Sequence, residues 1–189
     1  MSIASRPLTY DDLLAARESG DERLRLELIA GEIVVTPSPA PMHQVISHRL
    51  AVAFDRAIVE TNLGVVMSAP LDVYLDEFTT LQPDLLVLLR DRLHLLGSAR
   101  IEAAPSLAVE ILSPSTSGRD RIVKRDLYAR FGVPEYWLVD PAAGRVTIYG
   151  DLREGRYHQE RTASDVAISV TMPGLSVDLG KLFAPPLPA

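Results

Sequence analysis

The chain contains no cysteine. This excludes disulfides, thiolate metal centres and thiol nucleophiles, and it agrees with a reducing compartment. Aromatics are sparse, at 6% of the sequence with a single tryptophan. No apolar run approaches the roughly 20 residues that a membrane helix needs. The start, Met1-Ser2-Ile3-Ala4-Ser5-Arg6-Pro7, lacks the basic end and apolar stretch of an export signal. A cytoplasmic protein with no membrane partner is expected. Basic excess is missing too. The net charge of −6 argues against nonspecific coating of nucleic acid, because phosphate affinity comes from clustered Lys and Arg. A nuclease stays compatible, since an enzyme that gathers carboxylates around a metal is acidic at its centre whatever its rim carries.

What is present suffices for one buried core. With 189 residues, 47% of them hydrophobic, and no linker or repeat, the chain predicts a single domain over 1–189. Its core is expected over about 9–178, with the Pro-rich end 184–189 as a loose tail. The most informative stretch is Leu107-Ala108-Val109-Glu110-Ile111-Leu112, an apolar run closed by Ser113-Pro114-Ser115. It reads as a strand buried on both faces with one carboxylate in its middle. An ionised carboxylate in an apolar layer is costly unless a cation, a metal or several donors meet it, so a partner for Glu110 is expected elsewhere in the chain.

The rest of the pattern alternates helices and short strands. Thr9 predicts the N-cap of a helix over Leu8 to Ala16. Arg23 to Ile29 and Glu32 to Thr36 flank Ala30-Gly31 as a hairpin, with Glu27 alternating away from Leu26 and Leu28. Met42, Ile46, Leu50, Ala53 and Ala57 form a helical stripe; His43 lies at its edge and reads first as a capping or packing residue, with a place near a site as the alternative. Gly64 to Leu75 reads as a strand broken near Pro70. Thr79 to Gln82 leads into a second apolar strand, Leu85 to Leu89, with Asp84 at its mouth. A helix is expected over Arg119 to Phe131; at about 100° per residue it turns Val123, Leu127, Tyr128 and Phe131 inward together with Asp120 and Lys124. Glu135 to Asp140, Val146 to Tyr149 and later short runs complete a strand-rich second half. Ser115 and Trp137 read as capping or packing residues, and Glu135 as undecided.

Strands that each present one acid at the same end are able to hold a divalent cation, with a backbone carbonyl and waters completing an oxygen shell. An inward lysine beside that cation stabilises a pentavalent phosphate, and the metal activates water, which makes phosphodiester hydrolysis the reaction class. Arg119, Arg121 and Arg125, on the helix that carries Lys124, are placed to approach a nucleic-acid backbone.

Pro83-Asp84, Glu110, Ser113-Pro114-Ser115-Thr116, Asp120-x-x-x-Lys124-x-x-x-Tyr128 and Gly132-Val133-Pro134-Glu135-Tyr136-Trp137-Leu138-Val139-Asp140-Pro141 resemble, in that order, the Uma-type restriction-endonuclease family of the PD-(D/E)XK nuclease superfamily. The hairpin Leu26-Glu27-Leu28-Ile29-x-Gly31-Glu32, with His43 after the prolines, resembles its N-terminal half. The resemblance implies an α/β fold with a mixed central sheet flanked by helices, and a magnesium-dependent DNA endonuclease for which manganese is a substitute ion. Carried over by position, Asp84 and Glu110 are metal ligands and catalytic, Lys124 is the catalytic lysine and Glu27 an accessory acid; His43, Asp120 and Tyr128 are possible accessories. One departure stands out: the superfamily pattern sets Lys two residues after the acid, where this chain has Leu112, so the lysine comes from the following helix.

Each residue also has a structural alternative. Asp84 beside Pro83 is able to cap a strand, and Glu110 with Lys124 to form a buried ion pair. Two rival functions follow: a catalytically inactive nuclease-like module that binds nucleic acid or protein, and a metal-dependent hydrolase of a small phosphorylated substrate. Double-strand cleavage with one site per chain predicts a homodimer.

Overall fold

The computed structural model describes residues 6–20, 24–113 and 117–185. Ser115 and residues 186–189 of the expected tail lie outside them. Thr9 caps α1 (Tyr10–Ser19) in a reciprocal capping box with Asp12, as its sequence predicts. The next turn is set by backbone geometry: Ala30 and Gly31 have φ of 50° and 85°, so β1 (Arg25–Ile29) and β2 (Glu32–Thr36) close as a tight hairpin. A Cβ on Gly31 would stand 2.6 Å from the Pro7 side chain, so glycine is required there on two counts.

Two sheets share the core. The smaller has the order β2-β1-β5-β4, with β4 at Val73–Asp76 and β5 at Thr79–Leu81. The stretch expected only to lead into the next strand is thus a strand of its own, because Leu28 of β1 pairs with Thr80. The larger sheet has the order β10-β9-β8-β7-β6-β3. Its strands are β3 (Gly64–Ser68), β6 (Leu85–Leu89), β7 (Leu107–Ile111), β8 (Glu135–Asp140), β9 (Arg145–Arg153) and β10 (Arg156–Ala163). Only β7 and β8 run parallel, joined by a helical crossover; the other pairs are antiparallel. The α/β expectation of a mixed sheet flanked by helices holds.

Strand alternation sends Leu85, Val87, Leu107, Val109, Ile111 and Trp137 to one face, where α2 (Pro41–Phe54) covers them through Ile46, Leu50 and Phe54. Each buried side chain of this size contributes roughly 1.5–3 kcal/mol, enough to hold a helix whose N-cap, Ala40, makes no side-chain hydrogen bond. Met42, expected in the stripe, is 39% exposed; Phe54 and Ile58 extend the stripe instead, the latter in a π-helical turn, Asp55–Val59. A C-terminal unit of β11 (Val166–Ile168), β12 (Ser176–Asp178) and α5 (Leu179–Leu182) packs on the same face. The start of the expected loose tail is held: Arg49 donates to the carbonyls of Leu182 and Ala184 at 2.9 and 2.6 Å.

The opposite face carries Ala108, Glu110, Tyr136 and Leu138 toward the small sheet and the crossover. That crossover comprises α3 (Ser117–Arg119), a π-helical turn at Asp120–Lys124 and α4 (Arg125–Arg130). Asp120, Lys124, Leu127 and Tyr128 face inward as the sequence predicts, but Val123 does not: it is 41% exposed, and Phe131 is only half-buried. The π turn inserts an extra residue per turn, which breaks the 100° count across this segment.

Candidate active site

The site forms where the small sheet leans on the ends of β6 and β7. On β1, Leu26 and Leu28 turn toward α1 while Arg25 and Glu27, two residues apart, turn toward the large sheet. Leu85 pairs with Val109 and Leu86 with Ala108, so one further step along that register sets Asp84 opposite Glu110. Like charges directly across a ladder repel, and these two are buried as well. The surroundings must therefore supply positive charge.

Lys124 supplies it on the Glu110 side. Its ammonium, 3% exposed by residue, donates to Glu27 Oε1 and Glu110 Oε1, each at 2.9 Å, and lies 3.8 Å from Asp120 Oδ1. Burial opposes the charge, but Glu110, Glu27 and Asp120 outweigh it and hold Lys124 protonated far above neutrality. Glu27 is fully buried behind the lysine, accepting also from the Gln82 N–H at 2.7 Å and the Thr36 hydroxyl at 3.2 Å. Burial pushes Glu27 up; Lys124, the Gln82 amide and Arg25 overcome that and bring it below the usual carboxylate value.

Asp84 is met by other donors. Its Oδ1 accepts from Arg25 Nη1 at 3.1 Å; its Oδ2 accepts from the Ile111 N–H at 2.8 Å and lies 3.1 Å from His43 Nε2. Burial is again the largest influence, yet His43, Arg25 and the Ile111 amide hold Asp84 low. Glu110 goes the other way. Its Oε1 accepts from the Tyr128 hydroxyl at 2.8 Å as well as from Lys124. Burial raises it well above the usual value; Lys124 opposes this, but Asp120, Asp84 and Glu27 add to it. Four carboxylates, Glu27, Asp84, Glu110 and Asp120, thus face two permanent cations, Lys124 and Arg25, and Glu110 is the acid that burial, with this excess added, pushes toward its neutral form.

A cleft of about 190 Å³ opens onto this cluster, lined among others by Arg25, His43, Asp84, Glu110, Asp120 and Lys124. The structure brings together Asp84, Glu110, Lys124, Glu27, Asp120, Tyr128 and His43. For His43 the capping or packing reading gives way to a place beside Asp84, which its position in the first turn of α2 produces. Arg119, Arg121 and Arg125 form no open basic lip: Arg121 is committed to Asp140 at 2.5 Å, Arg125 to Asp126 at 2.7 Å, and Arg119 is half-buried. Trp137 packs against Phe54, and Glu135 lies on the other face with donors of its own. Arg25 and Gln82 went unread in the sequence; the one signal was Arg25 standing two residues from Glu27, hence on the same face of a strand.

The model of the Uma2 family, described as "Putative restriction endonuclease", matches residues 10–180. The chain belongs to the Uma2 family. This Uma2 chain is similar in fold to a "putative nuclease belonging to DUF820" from Anabaena variabilis, whose crystal structure it matches with a TM-score of 0.75 at 20% identity, over 94% of this chain and 98% of that one. No curated protein matches it. Among the described residues of the Uma2 chain, no helix is long and apolar enough to cross a membrane.

The described residues hold no set of three acidic, imidazole or thiol groups arranged to hold a metal ion. The donors that do share the cleft, the Asp84 and Glu110 carboxylates, fit magnesium, which keeps several waters and is bound through one or two carboxylates plus substrate phosphate. Four buried carboxylates facing two permanent cations leave a negative excess whose sign suits a divalent cation.

Proposed function

We propose that this Uma2 chain is a magnesium-dependent endonuclease that hydrolyses phosphodiester bonds in DNA, with manganese as a substitute ion. The observation that carries this reading is the cross-strand pair Asp84 and Glu110, open to the same cleft as the Lys124 ammonium. Asp84 and Glu110 would hold the cation, which when bound supplies Lewis-acid neutralisation of the phosphate and a more acidic water. Lys124 presents a fixed positive charge beside Glu110, where negative charge grows on the phosphoryl oxygens as the nucleophile adds. Glu27 acts through that lysine, holding Nζ in place from behind. The Ile111 N–H, Arg25 and His43 orient the Asp84 carboxylate, and the Tyr128 hydroxyl orients Glu110. Asp120 adds negative charge at the rim of the same cleft. Arg121 and Arg125 serve as backbone contacts only where DNA displaces Asp140 and Asp126, and Arg119 only where its half-buried side chain turns outward.

One observation favours a second reading. Every acid of the cluster already meets a protein donor, as in a closed structural ion-pair network, which suits an inactive nuclease-like binding module. Plasmid DNA, an RNA of the same sequence and a panel of nucleotides, each incubated with magnesium or manganese, separate the cases. The endonuclease nicks or linearises plasmid, and Asp84→Asn abolishes this. Turnover confined to the nucleotides favours a small-substrate hydrolase, and no turnover with any of them favours the module. We further propose a two-fold dimer acting on both strands, for which light scattering at micromolar concentration should give twice the chain mass.

A further inference from the structure

Past Asp84 the cleft leads into a second chamber of about 300 Å³. Arg25, Pro37, Ser38, Pro39, His43 and Asp84 line both spaces, so the same side chains form the partition between them. Leu24, Pro37, Pro39 and Pro70 give the second chamber apolar walls, while Ser38, Gln44 and Ser47 give it a polar edge. Its cations are committed. The Arg17 guanidinium is bound to both oxygens of Asp72, at 2.6 and 2.9 Å, and to the Leu26 carbonyl at 2.7 Å. Arg25 is held by Asp84 and by the side chain and carbonyl of Gln82. A phosphate entering here meets no uncommitted charge. Ser38 and Gln44, both exposed, and half-buried Ser47, by contrast, make no side-chain hydrogen bond to protein among the described residues, and His43 Nδ1 is buried without a partner there. Apolar walls, unspent hydrogen-bonding groups at one edge and no spare charge suit a neutral, flat heterocycle.

We propose that this chamber takes the base of the nucleotide next to the scissile phosphate. Gln44 and Ser47 read its edge, and Pro37 and Pro39 pack on its faces. The position beside the cut rests on the nuclease reading; the binding of a base does not. A base enters only after leaving its stack, so single-stranded or locally melted DNA should be preferred over a closed duplex.

Two measurements test this. In the first, single-stranded oligonucleotides carrying 2-aminopurine are titrated with protein in metal-free buffer. Wild type should raise the fluorescence of one internal position, and Ser47→Phe, which fills the chamber from α2, should remove that rise. In the second, the ends left on a randomised DNA pool in magnesium are sequenced. Wild type should show a skewed base composition at one nucleotide beside the cut, and Gln44→Ala should reduce that skew about fivefold or more, the discrimination expected of an amide that reads a base edge. The skew is a ratio among cut sites and does not depend on rate. Cleavage with the same skew in wild type and Gln44→Ala overturns the base subsite and leaves the nuclease standing. Loss of the fluorescence rise to inorganic phosphate, but not to nucleosides, overturns it in favour of an anion site. If wild type cuts nothing, the nuclease reading fails and the fluorescence titration alone decides: a rise abolished by Ser47→Phe supports a base pocket, and no rise overturns it.

Discussion

Lys124 has two acids within 2.9 Å and a third at 3.8 Å, all of them buried, so its removal strands more than one carboxylate. Taking one partner out of a buried charge pair typically costs about 3–5 kcal/mol. Lys124→Met should therefore lower the urea unfolding free energy by about that amount, and adding Glu27→Gln should restore part of it, since the two residues are in contact and do not add independently. Equal losses in the single and double variants would contradict the clamp. At this scale the sequence was informative about kind and less so about company. Glu110 within an apolar run signalled a needed partner, and helical spacing turned Lys124 and Asp120 inward. Nothing local signalled that Arg25 and His43 converge on Asp84, because a hairpin and the first turn of a separate helix bring them there.

At the level of elements, near-continuous apolar runs were enough to read β6, β7 and β8, since strands covered on both faces need no alternation. Their pairing was not readable. The register that sets Asp84 across from Glu110 depends on a connector of irregular structure between β6 and β7. The π turn at Asp120–Lys124 was also hidden, because nothing in its five residues separates it from an α-helical turn, and its consequence is an exposed Val123. Glu135 shows how one side chain ties two elements. From β8 its carboxylate accepts from Trp137 Nε1 at 2.5 Å, and from the Ser169 hydroxyl and the Thr171 N–H at 2.8 Å each, fastening the C-terminal unit to the sheet without a cation. Glu135→Gln replaces an acceptor with an NH2 aimed at donors, leaving buried groups unpaired at about 1–3 kcal/mol. Hydrogen exchange should accelerate across 165–182 while Leu85–Leu89 stays protected; unchanged exchange in the C-terminal unit would remove this role.

Across the whole molecule, Tyr128, Tyr136, Tyr149 and Tyr157 form a row with ring centroids 5.1, 5.8 and 5.9 Å apart, running from Glu110 to β10. Burial pushes Tyr128, Tyr136 and Tyr157 above the usual phenol value. The folded state therefore keeps protons that the unfolded state releases above about pH 10. Their contribution to stability is complete below that pH and is lost as pH rises through the folded values, with a slope of about 1.4 kcal/mol per unit for each tyrosine. In an alkaline titration, the absorbance of these three tyrosinates should appear together with loss of the far-ultraviolet dichroism. Their full ionisation while the dichroism persists would show that the row is not sealed.

The central claim is that Asp84 and Glu110 form a metal-dependent catalytic pair, and calorimetric titration of magnesium and manganese into wild type and Glu110→Gln, with plasmid cleavage on the same samples, tests it most directly. Burial and the neighbouring acids already push Glu110 toward its neutral form, so the glutamine variant should fold with little loss of stability while metal binding and cleavage vanish together. A wild type that binds neither ion and leaves plasmid intact would contradict the account and return Asp84, Glu110 and Lys124 to a structural ion-pair network.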